Sequence, residues 1–431
     1  MGRGKPSAFH LNNLLKIMLS IFNLAIRNLR RYKRRTLLTS VLITLGVVAV
    51  LLFVSVSGSF KAMMIGQITD SMLGHLQVHR KGYLASIDSL PLDRNLKGKQ
   101  VAEVKEILEG NDAVEAYSLR IKLGAMFSNF SETTNIRLNA VNPKQEMQTV
   151  PMLTDRIIKG KKEGLLEKGE ILVPELIAKG MKVKIGDTIV LVATNKDGSV
   201  NGQPFVVRGI LEGISGPGGR DGLIHLDDAR ALLRIEDREI SEISIRLKSM
   251  GRMNEVFDQL KDRLGPIKDK MDKPVFEVHT WEKLSPFFNI AEMIDLMTFF
   301  IKIMLVAIVL VSIMNVMIMA VYERINEIGT MAAIGTVPGK ILSLFMVEGF
   351  LLGVFGTLIG VVISLVTIAG MNTAKISFDF GRQKGLLLSP TIALNDVVTV
   401  AGIVIAISVL ASLQPAWKAA RMDPITALRH V

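Results

Sequence analysis

The sequence predicts a polytopic α-helical membrane protein with four transmembrane helices and a large mixed α/β extracytoplasmic domain inserted between helices 1 and 2. Three observations carry this. Hydrophobic residues make up 49% of the 431 positions, and the mean hydropathy is positive. Four charge-poor apolar runs are each long enough to cross a bilayer, which takes about 20 residues. Between the first two runs lies a charge-rich stretch, residues 61–294, too long and too polar to be a connecting loop.

The elements follow in order. Residues 1–35 hold nine Lys/Arg and no acid, so of a net charge of +12 only +3 belongs to the rest of the chain. A basic excess confined to one end suits a membrane surface or a solvated tail, and argues against a nucleic-acid partner. Within it, "LLKIMLSIFNLAIRNLRRYKRR" sets Lys16, Ser20, Asn23, Arg27, Arg30 and Arg34 on one helical face, while Leu15, Ile17, Phe22, Leu24, Ile26 and Leu29 fill the rest. Such a helix lies in the membrane interface, its arginines toward lipid headgroups. Residues 36–60, "TLLTSVLITLGVVAVLLFVSVSGSF", carry no charge and form helix 1. The run exceeds the apolar core of a signal peptide, and no clear A-x-A site follows it. The other spans fall at 295–322, with Lys302 near the outer end, at 341–374 and at 397–417. Lys33, Arg34 and Arg35 abut the first span and place the N-terminus in the cytoplasm by the positive-inside rule. Four spans return the tail, 418–431, to the same side, which leaves 61–294 and 375–396 outside and 323–340 inside.

The insert reads as mixed α/β. "GHLQVH" and "EISIRL" alternate as strands, "VVRGIL" does so more loosely, and "GEILVPELIAKGMKVKIGDTIVLVAT" reads strand, short helix, strand, punctuated by Gly180 and Gly186. "LDDARALLRI" and "MNEVFDQLKDRLG" have helical spacing, with Asp227 or Asp228 available to cap the first. The glycine-rich "GISGPGGRDG", residues 213–222, leads into a strand pattern, which suits a flexible connection rather than a phosphate cradle.

Catalytic chemistry is sparse. Cysteine is absent, which excludes disulfides, thiolate metal sites and a cysteine nucleophile. "GTVPGK", residues 335–340, has too few residues between its glycines for a P-loop, and isoleucine stands where Ser/Thr would hold magnesium. His75 and His79 share a strand face with no third ligand in sight and read as surface histidines. No G-x-S-x-G or H-E-x-x-H is present. The chain reads as machinery, with no catalytic residue, metal or cofactor of its own.

Three features call for function. Gly349, Gly353, Gly356 and Gly360, spaced four, three, four, form one face of the third span and let another helix approach closely. Glu348 precedes that face, two turns inside a helix that begins near Ile341, and an intramembrane carboxylate is by default a functional residue. The loop "VYERINEIGTMAAIGTVPGKI" is the third. Where short cytoplasmic loops favour Lys and Arg, it offers Glu323, Arg324 and Glu327, then the small Ala332, Ala333 and Gly335. Glu323 and Glu327 stand at i and i+4, one face of a helix.

These residues resemble the FtsX-like, MacB-type permease superfamily of ABC transporters. The family's segment E-R-x-x-E-I-G-x-x-(R/K)-A-x-G is matched by Glu323, Arg324, Glu327, Ile328, Gly329, Ala333 and Gly335, with Ala332 at the commonly basic position. The tail "PAWKAARMDPITALRH" is similar to P-x-x-R/K-A-A-x-x-x-P-x-x-A-L-R through Pro415, Lys418, Ala419, Ala420, Pro424, Ala427, Leu428 and Arg429. "NAVNPKQE", around Asn142 and Pro143, is similar to a recurrent turn of the outer domains, and "LAIRNLRRYKRRTLLT" fits the amphipathic leading helix. The nearest branch is the lipoprotein-releasing, LolC/LolE-like one. The resemblance implies a bacterial inner-membrane permease. MacB-type chains usually carry the ATPase themselves, whereas here, with no P-loop, ATP and magnesium belong to a separate cytoplasmic ABC ATPase subunit. It implies that 323–336 is a coupling helix seated in that subunit. It also implies a second permease copy or paralogue and transmission of ATP-driven motion to the outer domains, releasing a lipoprotein or another amphiphile. Two alternatives stand beside it: MacB-like efflux with an adaptor, and FtsX-like regulation of a cell-wall hydrolase.

Overall fold

A computed structural model describes residues 8–212, 221–235, 238–380 and 383–429, and the glycine-rich segment at 213–220 lies outside them. The chain starts with α1 (Ala8–Arg31) and, after a break at Tyr32, α2 (Lys33–Ile68). The insert supplies β1 (Leu76–Arg80), α3 (Gly98–Glu109), β2 (Val114–Ser128), β3 (Thr133–Val141), α4 (Pro143–Thr149) and β4 (Ile157–Gly160). Next come β5 (Glu170–Pro174), α5 (Glu175–Gly180), β6 (Thr188–Thr194), β7 (Val200–Leu211), β8 (Asp221–His225) and α6 (Leu226–Leu233). It closes with β9 (Glu242–Leu247), α7 (Met253–Leu264), β10 (Phe276–Thr280) and α8 (Trp281–Leu284). The chain then runs through α9 (Phe287–Glu323), α10 (Ile325–Ala333), α11 (Pro338–Ala374), the hairpin β11 (Ser377–Phe380) and β12 (Gln383–Leu387), α12 (Leu394–Ala420) and α13 (Pro424–Arg429). Four of these helices, α2, α9, α11 and α12, are long and apolar enough to cross a membrane, and the α/β insert falls between the first and second.

Two compact units result. One comprises residues 1–61, 293–377 and 387–431; the other comprises 62–292 with 378–386.

In the helical unit the four apolar helices pack around a core that includes Ile43, Val47, Val309, Ile313, Leu352 and Val404. The apolar helices extend past the uncharged runs because polar residues at their ends find partners. Ser57 and Thr298 hydroxyls lie 2.6 Å apart, and Lys61 pairs with Asp295, so α2 and α9 stay joined beyond the apolar stretch. The leading helix α1 buries Ala25 and Leu29 and exposes Leu19, Phe22 and Leu24 together with Arg27 and Arg30, and Arg34 is exposed at the start of α2. An exposed surface that is partly basic and partly apolar suits a lipid interface.

The second unit is built on a sheet ordered β10-β1-β9-β2-β3-β8-β5-β7-β4. β6 pairs with both β2 and β7, so six strands close into a ring. Val141, Val150, Leu153, Leu172, Leu211 and Leu223 form part of its core. β1 and β10, the strands nearest α2 and α9 in the chain, are antiparallel neighbours, with Leu76 opposite Thr280. Two chain segments that lead to separate spans are thereby tied within one sheet.

Three expectations for the insert are corrected. "GHLQVH" and "EISIRL" do not alternate in burial: β1 and β9 are central strands buried on both faces almost throughout. His75 and His79 are not surface residues but 6% and 0% exposed. His75 Nδ1 accepts from the Leu247 amide at 3.1 Å, and the His79 ring stacks on Tyr83 at 5.3 Å. The cap of α6 is His225, whose Nδ1 accepts from the Asp227 amide at 3.2 Å, while Asp228 accepts from the Gly169 amide at 2.7 Å. Asp227 instead pairs with Lys168 at 2.8 Å. Asn142 does cap α4, accepting from Lys144 and Gln145 amides, with Pro143 at the first turn where a missing N–H costs nothing.

β1, β2 and β9 also bury charge. Arg120, 2% exposed, donates to Glu146 at 2.7 and 3.1 Å and to Glu242 at 3.1 Å. Lys122 reaches Glu242 at 2.7 Å, and His79 Nε2 lies 3.5 Å from it. Burial alone would raise the Glu242 pKa, but Lys122, His79 and Arg120 outweigh it and hold the carboxyl well below its ordinary range.

Candidate functional site

The loop between α9 and α11 is two pieces rather than one helix. α9 ends at Glu323, the backbone breaks at Arg324 (φ −114°, ψ 21°), and α10 begins at Ile325. Glu323 and Glu327 therefore do not share a helix face. Glu323 is exposed, whereas Arg324 is buried. Ile328 and Gly329 are buried, Ala332 is half-buried, and Ala333 and Gly335 are exposed. Gly335 ends the segment at φ +89°, where Thr336 N bonds back to Met331 O, a left-handed stop that disfavours any residue with a Cβ. On either side of it Ile334 and Val337 stand 80% and 60% exposed. Pro338 then opens α11 with its fixed φ.

The carboxylate expected to greet a partner is occupied at home. Glu327 accepts from the Tyr32 hydroxyl at 2.9 Å and from Arg324 Nε at 3.2 Å, with Arg31 at 3.3 Å. Burial pushes its pKa up, but Tyr32, Arg324 and Arg31 outweigh that and leave it below the ordinary value.

Arg324 reaches further. Its Nη1 donates to both oxygens of Glu348, at 2.8 and 3.2 Å. Glu348 is 0% exposed and sits about three turns into α11, which starts at Pro338 rather than near Ile341. Asn28 Nδ2 donates to the same carboxylate at 2.8 Å, and Arg35 Nη2 lies 3.6 Å away. A buried carboxylate survives only when paired and hydrogen-bonded, and here α1 and the α9–α10 break supply the donors while α2 adds the nearby charge of Arg35. Tyr32 completes the node from below: its ring centroid lies 5.0, 5.4 and 5.7 Å from the guanidiniums of Arg324, Arg35 and Arg31.

The glycine face begins one residue later and serves two helices. A Cβ at Gly349 or Gly353 would overlap Ser412 or Ser408 of α12. A Cβ at Gly356 or Gly360 would come within 2.6 Å of Ile43 or 2.7 Å of Val47 of α2. At the second contact Thr44 Oγ1 donates to the Gly356 carbonyl at 3.1 Å. Close backbone approach is what small residues supply where helices pack without a hydrophobic driving force.

Structure thus gathers Arg324, Glu327 and Glu348 into one node, extends it through Gly349–Gly360, and leaves Glu323, Ala333 and Gly335 at the surface. Asn28, Tyr32 and Arg35 were missed by the sequence reading, since nothing local marks a residue whose partner lies some 300 positions away. Ser408 and Ser412 carried a usable signal, small residues four apart in a span. The tail motif also acquires a place. α13 packs on α10, with Ala427 buried, and Pro415, Ala416 and Ala419 are buried in α12.

Four bilayer-length helices, a fastened segment between two of them and an α/β unit inserted after the first define a membrane permease subunit. Residues 36–263 match the MacB-like periplasmic core domain and residues 299–424 the FtsX-like permease C-terminal domain, and the chain belongs to this family of ABC-transporter permeases. It is similar to the lipoprotein-releasing system transmembrane protein LolC of Neisseria meningitidis, 24% identical over 94% of this chain and 98% of that one. It is 29% identical to the macrolide export ATP-binding/permease protein MacB of Nitrobacter winogradskyi, over 53% of this chain and 34% of that one. The crystal structure of the periplasmic region of MacB from Actinobacillus actinomycetemcomitans aligns with 49% of this chain and 92% of its own, at 11% identity and a TM-score of 0.33.

Proposed function

We propose that the protein relays ATP-driven movement from a separate cytoplasmic ABC ATPase subunit to its outer α/β unit, and so releases lipoproteins or another amphiphile from the bacterial inner membrane. Both termini and residues 323–340 face the cytoplasm in this reading, and 61–294 faces outward. A second permease, identical or paralogous, completes the assembly, and ATP and magnesium are held by the ATPase.

One observation carries the reading: a short helix between two spans is fastened at its first residues and bare at its last. Ile334 and Val337 are exposed apolar side chains in the segment between α10 and α11, beside the exposed Ala333 and Gly335. A patch of that kind suits a protein interface. The similarity to LolC along nearly the full chain supports a lipoprotein as cargo. The similarity to MacB supports the second reading, export of a smaller amphiphile.

The test uses the tagged full chain purified with its ATPase. Ile334→Ser with Val337→Ser should reduce ATPase copurification by about tenfold, as expected for two apolar anchors at an interface centre, while the chain's own thermal stability stays within about 0.5 kcal/mol. Unchanged copurification would remove this patch from the interface. Lipoprotein carried through purification separates lipoprotein release from export. A cysteine at Thr336 labelled from outside in intact cells would overturn the topology.

A further inference from the structure

We propose that Asn28 of the leading helix and Tyr32, at the break that follows it, are positioning residues for the coupling segment, so that α1, α10 and α11 respond to the ATPase as one body. The proposal rests on the reading of 323–340 as the coupling segment.

The two faces of α1 do different things. Arg27 and Arg30 are exposed and suited to headgroups, which would suffice for a membrane anchor. Asn28 and Tyr32 are half-buried and turn toward the node instead. Their chemistry is specific to it. Glu348 Oε1 takes two donors at 2.8 Å, Arg324 Nη1 and Asn28 Nδ2. A neutral amide adds a hydrogen bond there without adding a positive charge that competes with Arg324 for the carboxylate. Tyr32 holds the other end of the same arginine. Its hydroxyl donates to Glu327 in the first turn of α10, and its ring lies 5.0 Å from Arg324.

Geometry makes these contacts mechanical. Tyr32 occupies the break between α1 and α2, held from both sides by Tyr32 N to Asn28 O and Thr36 N to Tyr32 O, each 3.1 Å. Arg324 occupies the break between α9 and α10. Two breaks are thus joined to each other and to Glu348. A displacement of α10 acts on α11 through Arg324–Glu348 and on α1 through Tyr32–Glu327 and Asn28–Glu348. From α11 it passes to α12 and α2 across the glycine face.

The experiment is hydrogen exchange on the full chain bound to its ATPase in lipid nanodiscs, with ADP and with a non-hydrolysable ATP analogue. In the unmodified chain the analogue should change exchange over residues 325–333 and over 19–35 together. Asn28→Asp sets a second carboxylate against Glu348 and should lower protection of the α1 amides by about tenfold; Tyr32→Phe removes one hydrogen bond and should lower it about threefold. In both, the nucleotide response over 325–333 should persist while that over 19–35 disappears. Combining Asn28→Asp with Glu348→Gln moves the anion by one side chain and keeps Arg324 paired, so it should restore the α1 response, which a merely space-filling Asn28 would not do. If Asn28→Asp does not fold, Tyr32→Phe and the double variant decide. A nucleotide response over 19–35 that survives both single variants, or a double variant no better than Asn28→Asp, overturns the inference and leaves the coupling reading intact. No response over 325–333 in the unmodified chain overturns the coupling reading itself, and the inference with it.

Discussion

An ionic cluster is buried in each of the two units, and the two are built on different principles. In the α/β unit Arg120, Glu146, Glu242 and Lys122 sit on β2, α4 and β9, and the strands among them are hydrogen-bonded neighbours in one sheet. Their spacing is fixed by the ladder. In the helical unit Arg324, Glu348, Glu327, Asn28 and Tyr32 come from separate helices and helix breaks, and side-chain hydrogen bonds link them across the node. There the side chains do the joining. A cluster on a sheet reinforces what the ladder already joins, whereas a cluster between helices joins elements that the backbone leaves separate. Burial and charge alone do not separate the two roles; the backbone beneath them does.

The strongest way to break this comparison is to remove the central arginine from each cluster. Arg120→Ala leaves Glu146 and Glu242 buried without their shared guanidinium, a loss of about 3–5 kcal/mol. It should appear as lost protease resistance over residues 62–292 of the full chain, with the helical unit unaffected. Arg324→Ala should cost less, about 2 kcal/mol, because Glu348 keeps Asn28 and has Arg35 at 3.6 Å. Its larger effect should be on ATP-stimulated function in the assembled complex. Equal loss of fold in both variants would mean the helical node is only structural.

The glycine face sharpens the mechanical half. Leucine at Gly353 or Gly356 should each cost about 1–3 kcal/mol by overpacking, but against different neighbours. Gly353→Leu should part α11 from α12, and Gly356→Leu should part α11 from α2. Cysteine pairs placed across each interface in this cysteine-free chain would read the two effects separately. A normal crosslinking yield in both variants would refute the close approach.

Acid gives the smallest effect and tests the sheet cluster. Glu242 has a folded pKa well below its unfolded value, so its contribution is fully present above about pH 4.3 and is lost as pH falls toward the folded value. Asp221 works the other way: burial raises its pKa, so protonation favours the folded form. The net loss of stability in the α/β unit should therefore begin below about pH 4 and be smaller than Glu242 alone would give. In the Glu242→Gln variant the acid limb should flatten. A limb of unchanged slope would assign the acid sensitivity to other carboxylates.

Much of this was legible in the chain itself. Uncharged runs beyond bilayer length mark four spans, because a backbone in lipid must satisfy its own hydrogen bonds and a helix does so locally. The interval between the first two runs places the insert, and glycines four, three and four apart announce a close helix contact. Those signals are local, and local physics enforces them. The partners were not legible. Glu327 read as a hand held out to another subunit, yet Tyr32, Arg324 and Arg31 already hold it. Glu323 and Glu327 read as one face, yet the break at Arg324 separates them. His79 read as exposed, yet it lies in a central strand beside Glu242. Composition and periodicity determined which segments form helices, which are apolar enough to span a membrane, and that charge must be buried near Glu348. Only the tertiary structure decided which donors meet that charge, because a carboxylate removed from water takes partners by proximity in space, and Asn28 stands 320 residues away in sequence.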